Sequence, residues 1–364
     1  MKNSKIGESI FTIEFLLEKL SFKGEKNCTI ENLEEFEAED ITGGVAFFSQ
    51  IYSVKFKWKI PASLNSIIVK DITGGVAFFS QIYSVKLKWK IPASLNSIIV
   101  KVPKLQGAFE HINNALNDNS SNKELTEKFE EHLENSHKVE EEVYTFFSQK
   151  KCELKLPKFY YSHPYSRNNN EGVLIIEDFT PHAIPTKMIP GFSNEQVESV
   201  IDELAKLQAI CLKDRSWVEI LVHGDLWSSN VLWKFDEHNK ATNELIAIID
   251  WQMSRPGNPG VDFGRLLAVN TSTNYRRNNT ERLIKRYLKK LEENLGEIPP
   301  VTFEQLMDAY NHALLFVAYF AAYGAPSYYN MSSIVGTPPN KKIREELLLR
   351  TQGIIEDALN FFKQ

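Results

Sequence analysis

Leu221-Val222-His223-Gly224-Asp225-Leu226-Trp227-Ser228-Ser229-Asn230, followed by Ile248-Ile249-Asp250-Trp251, sets an Asp and an Asn in one loop and a further Asp behind an apolar run. Phosphoryl transfer asks little covalent chemistry of a protein. It needs a carboxylate beside the attacking hydroxyl and oxygen ligands that hold Mg²⁺ against the phosphates. Asp225 and Asn230, five residues apart in one loop, divide those tasks between them. Asp250, at the end of an apolar strand, supplies a second metal ligand. The spacing therefore points to Asp225 as the catalytic group, with Asn230 and Asp250 on the metal.

Such a site also wants a glycine turn over the phosphates, a lysine on a neighbouring strand and a glutamate on a helix to hold that lysine. Thr73-Gly74-Gly75-Val76-Ala77-Phe78-Phe79-Ser80 lies between two strand-like runs. Gly74 and Gly75 would let backbone N–H groups approach phosphate, and Ser80 would add a hydroxyl. Lys101 ends the apolar run Ile98-Ile99-Val100, where a lysine is uncommon without a partner. Glu140 is the favoured partner, although Glu141 and Glu142 stand beside it on the same acidic helix.

Outward from these motifs the first half of the chain reads as strands and the second as helices, an α+β pattern. Helical periodicity runs from Asn122 to Phe147, from Ser193 to Ile210 with Ser193 or Asn194 as N-cap, and over Glu281–Leu295, Thr302–Tyr323 and Lys342–Phe362. Strands are expected at Ser97–Val102, Leu174–Phe179, Glu219–Val222, Val231–Phe235 and Leu245–Ile249. Asp40 to Lys70 recurs as Asp71 to Lys101 with one change, Phe56 to Leu87. Two near-identical copies without a third indicate a duplicated segment, or an error in assembling the sequence, rather than a solenoid.

Composition narrows the partners. With 364 residues, 43% hydrophobic and 12% aromatic, the chain suits two lobes around a cleft. A net charge of −5 speaks against nucleic acid. The N-terminus carries no apolar leader run, and the longest apolar stretch, Ala313–Tyr323, is too short to span a bilayer. Cys28, Cys152 and Cys211 are isolated, which suggests neither a disulfide framework nor a zinc site. A cytoplasmic protein without membrane attachment is expected.

The motifs resemble those of the CHK kinase-like (ecdysteroid-kinase-like) group, which is similar to choline kinases and aminoglycoside phosphotransferases. The resemblance rests on Gly74-Gly75 with Phe78-Phe79-Ser80-Gln81-Ile82-Tyr83, on Ile99-Val100-Lys101-Val102-Pro103 and on Ile175-Ile176-Glu177-Asp178-Phe179. It continues through Leu204-Ala205-Lys206-Leu207-Gln208-Ala209 and the catalytic stretch to Asp262-Phe263-Gly264-Arg265, covering roughly 38–350. It implies a bilobal protein-kinase-like fold: a small antiparallel sheet lobe with one main helix, and a mainly helical large lobe. The lobes would be 40–178 and 179–364, after an N-terminal extension at 1–39.

The resemblance implies ATP and Mg²⁺ as cofactors and a small-molecule hydroxyl as acceptor, whether sterol-like, amino-alcohol or xenobiotic. Lys101 would touch the α/β-phosphates, and Glu177 to Phe179 would form the edge holding adenine. Asp262 would brace the catalytic loop, and Trp227 and Trp251 would either wall the acceptor pocket or simply pack. Two departures stand out. One lobe needs one glycine hairpin, and the second copy is the one that runs on through Lys101-Val102-Pro103 to the helix. The surplus copy would be extruded, disordered, or paired at an edge, with a hybrid pairing of both copies also open. The connection Ile210–Leu221 is short for such proteins, and together with the duplicated hairpin this leaves a nucleotide-binding pseudokinase or a non-catalytic product as the alternative function.

Overall fold

A computed structural model describes residues 4–6, 9–22, 29–30, 33, 38–40, 51–54, 80–86, 97–103, 123–151, 153–166, 172–214 and 220–363. The chain is α+β and forms two compact units, Met1–Lys150 with Pro157–Pro181, and Lys151–Leu156 with His182–Gln364. No described helix is long and apolar enough to cross a membrane.

The first unit holds α1 (Ile13–Phe22), β1 (Ala38–Asp40), β2 (Ile51–Val54), β3 (Ser80–Lys86), β4 (Ser97–Pro103), α2 (Lys123–Ser148), β5 (Phe159–His163) and β6 (Val173–Glu177). The strands form one sheet in the order β1-β2-β3-β4-β6-β5, with β1 also paired to β3. Alternation along β4 decides what each face carries. Ile98, Val100 and Val102 join Val173 and Ile175 in a core closed by Ile13, Leu16, Leu17 and Leu20 of α1. Residues before 40, expected as an extension, thus supply part of this core. Lys101 points to the other face.

Helix α2 buries Leu133, Ser136, His137, Glu140, Val143, Tyr144 and Phe147, a stripe at three- and four-residue spacing. Glu140 falls on that stripe. Glu142 is exposed, and Glu141 turns aside to accept from Ser162 Oγ at 2.7 Å. The helical phase therefore chooses among the three glutamates.

Both copies of the duplication enter the sheet. β2, from the first copy, pairs in parallel with β3, from the second, with Ile51 opposite Ile82, Tyr52 opposite Tyr83, Ser53 opposite Ser84 and Val54 opposite Val85. Each residue meets its own duplicate. This is the hybrid arrangement, and it places one parallel pairing in a sheet expected to be antiparallel. β3 then runs antiparallel to β4, as the second copy's own order requires.

The second unit contains β7 (Ala183–Pro185), α3 (Asn194–Lys213), β8 (Leu221–Val222), β9 (Val231–Phe235), β10 (Ala241–Ile248), β11 (Arg255–Pro256), α4 (Gly260–Asn270), α5 (Thr273–Leu295), α6 (Phe303–Asn330), α7 (Ser332–Val335) and α8 (Lys341–Phe362). Ser193 caps α3 in a reciprocal box with Gln196, which settles the choice between Ser193 and Asn194. α5 starts at Thr273 rather than Glu281 because Ser272 accepts from the Tyr275 N–H and opens the helix earlier. α6 runs past Tyr323 to Asn330 and contains Pro326.

Helix α4, not read from sequence, is buried along its whole length. It lies close to α6: a Cβ on Gly264 would sit 2.7 Å from Val317 Cγ2, so no larger residue fits there without displacement. Of the three cysteines, Cys211 is described, and it is a buried free thiol.

Candidate active site

In the first unit the candidate residue that the structure describes most fully is Lys101. Its Nζ donates to Glu140 Oε2 at 2.6 Å, with side-chain exposures of 3% and 2%. β4 carries the lysine at the centre of the sheet, opposite Ile82 of β3 and Leu174 of β6. His137, one helical turn before Glu140, bonds through Nε2 to the His163 carbonyl at 2.9 Å. Burial holds the His137 imidazole below its usual range, and the Lys101 charge contributes in the same direction.

Ser80 opens β3 opposite Pro103. Glu177 ends β6, donates its N–H to the Lys158 carbonyl at 2.9 Å and accepts the Lys158 N–H at 3.0 Å. Phe179 follows, half-buried, in the irregular segment after the strand. Gly74 and Gly75 lie outside the described residues.

In the second unit the loop that carries Asp225 is built on backbone donors. Asp262, at the start of α4, accepts the His223 N–H through Oδ2 at 2.9 Å and the Gly224 N–H through Oδ1 at 2.8 Å. Burial pushes the Asp262 carboxyl up from its usual range, while His223 and the two N–H groups pull it down. This is the bracing expected of a buried carboxylate among backbone donors. Gly224 has φ +83°, and a Cβ there would lie 2.7 Å from the Met253 carbonyl oxygen, so glycine is the residue that fits.

His223 is fully buried and fixes the loop against the strand end. The Asp225 N–H donates to His223 Nδ1 at 3.2 Å, which makes Nδ1 the acceptor. Nε2 therefore carries the proton and donates to the Ile249 carbonyl at 3.0 Å. The Ile249 N–H in turn donates to the Asn230 carbonyl at 2.9 Å. Loop and strand end are laced in both directions, so Asp225, Asn230 and Asp250 share one scaffold.

Asn230 Nδ2 donates to the Asp225 backbone carbonyl at 2.9 Å and approaches Asp225 Oδ2 at 3.3 Å. With the amide nitrogen committed there, Oδ1 is the atom that suits a hard cation. Asp250 takes a left-handed conformation, φ 66° and ψ 60°, and its Oδ2 accepts from Gln252 Nε2 at 3.2 Å. Aspartate tolerates that region better than most residues, and strain of this kind collects at functional positions.

Two residues were not assigned a role from sequence. Arg265 donates to Asp225 Oδ1 from Nε at 3.1 Å and from Nη2 at 2.9 Å. Nη2 also reaches the Tyr328 hydroxyl at 3.2 Å, and the guanidinium lies 5.2 Å from the Phe320 ring centre. Burial opposes the Arg265 charge, but Tyr328 and Asp225 outweigh it and hold the guanidinium above its ordinary range. The available signal was spacing: Arg265 follows Asp262 by three positions and shares its helix face.

Trp227 and Trp251 are each 1% exposed, so both are packing residues rather than walls of an open pocket. Trp251 lies 4.5 Å from the His223 ring, and Trp227 stacks on Tyr328 at 5.9 Å.

The DUF1679 family model, described as "Uncharacterized oxidoreductase dhs-27", matches residues 64–216 and 215–364. That description names another protein. The two matched segments meet where the sequence is short between α3 and β8. The chain is 31% identical over 144 residues to the "Uncharacterized kinase-like protein D1044.1" of Caenorhabditis elegans, covering 38% of this chain and 37% of that one. It is 30% identical over 93 residues to the 4-hydroxytryptamine kinase of Psilocybe cyanescens, covering 26% and 22%. These alignments thus span well under half of either relative. Among solved structures, the streptomycin–ATP–APH(2″)-IIa ternary complex aligns over 75% of this chain and 91% of its own, at 14% identity and a TM-score of 0.35. Matched over both segments, which together run from 64 to the C-terminus, the chain belongs to the DUF1679 family.

Proposed function

We propose that the chain is an ATP-dependent phosphotransferase that moves the γ-phosphate of ATP onto a hydroxyl of a small molecule, with Asp225 as the catalytic carboxylate. The observation that carries this reading is the braced loop. Asp262 fixes the backbone at His223 and Gly224, and the hydrogen bonds from His223 through Ile249 to Asn230 tie Asp225 and Asn230 to the strand that delivers Asp250. Phosphoryl transfer depends on positioning and charge stabilisation more than on covalent chemistry, and this scaffold supplies the positioning. The kinase names of two relatives agree with the reading over the segments they share.

Asp225 would orient the acceptor hydroxyl and take its proton as the oxygen attacks phosphorus. Asn230 Oδ1 and the Asp250 carboxylate are the donors that would hold Mg²⁺, whose chemistry when bound is to neutralise phosphate charge. Lys101, fixed by Glu140, would meet the α/β-phosphates. Gly74, Gly75 and Ser80 would cover them, and Glu177 to Phe179 would border adenine. The acceptor belongs to the broad class of hydroxylated small molecules, sterol-like, amino-alcohol or xenobiotic. The phenol in the fungal relative's name makes 4-hydroxytryptamine a reasonable first probe.

The test is a pair of variants on purified protein. Asp225→Asn should keep Mg·ATP binding within a few-fold and lower turnover by roughly two to four orders of magnitude, the usual scale of lost general-base catalysis. Asp250→Ala should abolish Mg²⁺-dependent nucleotide binding. Wild-type protein that binds Mg·ATP but transfers phosphate to no acceptor, water included, would overturn the assignment in favour of a non-catalytic nucleotide binder.

A further inference from the structure

Asp225 has two carboxylate oxygens, and the structure treats them differently. Oδ1 accepts two N–H groups from Arg265, at 3.1 and 2.9 Å. Among the described residues, Oδ2 has only the longer approach of Asn230 Nδ2, at 3.3 Å. We propose that Arg265 is a positioning residue that selects Oδ2 of Asp225 as the oxygen meeting the acceptor hydroxyl. The inference rests on the phosphotransferase reading and deepens it.

An arginine can do this because its planar fork fixes direction as well as distance. Here the fork is itself immobilised. Its side chain is 4% exposed, its Nη2 is shared with the Tyr328 hydroxyl, and its plane lies near Phe320. The anchoring is economical in sequence. Asp262 and Arg265 both project from the first two turns of α4, so one helix holds the loop backbone through the former and its carboxylate through the latter. α6 contributes Tyr328, which stacks on Trp227 two residues beyond Asp225. Loss of the guanidinium would free Asp225 to rotate about χ2, and its two oxygens would become interchangeable.

Arg265→Lys and Tyr328→Phe test this against wild type. The readouts are Mg·ATP affinity by calorimetry, ATP hydrolysis with water as acceptor, and transfer to 4-hydroxytryptamine as probe. Arg265→Lys should hold Mg·ATP affinity and KM for ATP within about threefold and lower kcat by roughly 30- to 1,000-fold, the pattern of an interaction needed in the transition state alone. Tyr328→Phe, which preserves volume, should lower kcat by about three- to tenfold. In Arg265→Ala, added guanidinium should restore turnover severalfold where the same concentration of urea does not.

Three results would overturn the proposal. One is Arg265→Lys turnover within twofold of wild type. Another is a parallel loss of nucleotide affinity and kcat, which marks a purely structural role. The third, if the Arg265 variants do not fold, is an unchanged kcat in Tyr328→Phe. Wild type that binds Mg·ATP but never turns over would sink the phosphotransferase reading and this inference with it. Active wild type with unaffected variants would sink this inference alone.

Discussion

The pair Lys101–Glu140 is separated by 2.6 Å and almost wholly buried, so removing either partner takes away this ion pair's share of what holds the other charge inside. In Lys101→Met, the folded protein can shed the Glu140 charge by protonating it. Placing a proton on an ordinary glutamate at pH 7 costs about 3.7 kcal/mol, which caps the destabilisation. The cap falls by about 1.4 kcal/mol per pH unit and is only about 1 kcal/mol at pH 5. Glu140→Gln behaves in the opposite sense. There the lysine can shed its charge by losing a proton, which caps the destabilisation at about 4.6 kcal/mol at pH 7 and about 1.9 at pH 9.

The signs follow from linkage. A buried glutamate deprived of the lysine's charge binds its proton more tightly when folded, so the Lys101→Met deficit grows as pH rises. A buried lysine deprived of the glutamate's charge binds its proton less tightly when folded, so the Glu140→Gln deficit shrinks as pH rises. The double variant Lys101→Met/Glu140→Gln carries neither charge and should lie within about 1 kcal/mol of wild type. Urea unfolding from pH 5 to 9 measures all four proteins, and a deficit of 3.7 kcal/mol corresponds to a melting shift of roughly 7–15 °C for a unit of this size. The double variant should remain unable to bind Mg·ATP tightly, which separates the pair's role in nucleotide binding from its part in stability. Single-variant deficits that ignore pH, or that move in the same direction, would refute the reasoning.

Two further outcomes follow from the scaffold. Asp262→Asn turns an amide N–H₂ against one of the two backbone donors whichever way it flips. It should destabilise by about 2–4 kcal/mol and lower turnover with it, and an unchanged melting curve would show that the brace is dispensable. Deleting residues 40–70 removes one copy of the duplication, and β1 already pairs with β3 directly, Glu39 opposite Ser84. The shortened chain should melt within a few degrees of wild type and keep Mg·ATP binding, and loss of both would mean that β2 is indispensable to the sheet.

Much of this site was legible because it depends on short, local spacing. Five residues from Asp225 to Asn230, an apolar strand ending at Asp250 and a lysine closing Ile98-Ile99-Val100 each state their geometry in one dimension. Glu140 needed one more step, the helical phase that Leu133, His137, Val143 and Phe147 set by their spacing along the chain. What escaped was tertiary. α4 was unread because a helix buried on all sides shows no amphipathic stripe, and Gly260 and Gly264 look like breakers until α6 is seen lying against them. Arg265 escaped for the same reason, since its partners lie forty residues before it and sixty-three after it.

The duplication is a different case, in which the sequence itself is degenerate. Ile51-Tyr52-Ser53-Val54 and Ile82-Tyr83-Ser84-Val85 are the same tetrapeptide, so local propensity gives neither copy preference for the place beside β4. Connectivity breaks the tie. Only positions 87–96 separate β3 of the second copy from β4, and the two strands pair over seven residues, from Ser80 opposite Pro103 to Lys86 opposite Ser97. The first copy would have to span an entire repeat to make the same pairing, and closing that longer loop costs additional entropy. The register that presents Lys101 to Glu140 is thus chosen by the length of chain between strands, because the side chains of the two copies are alike.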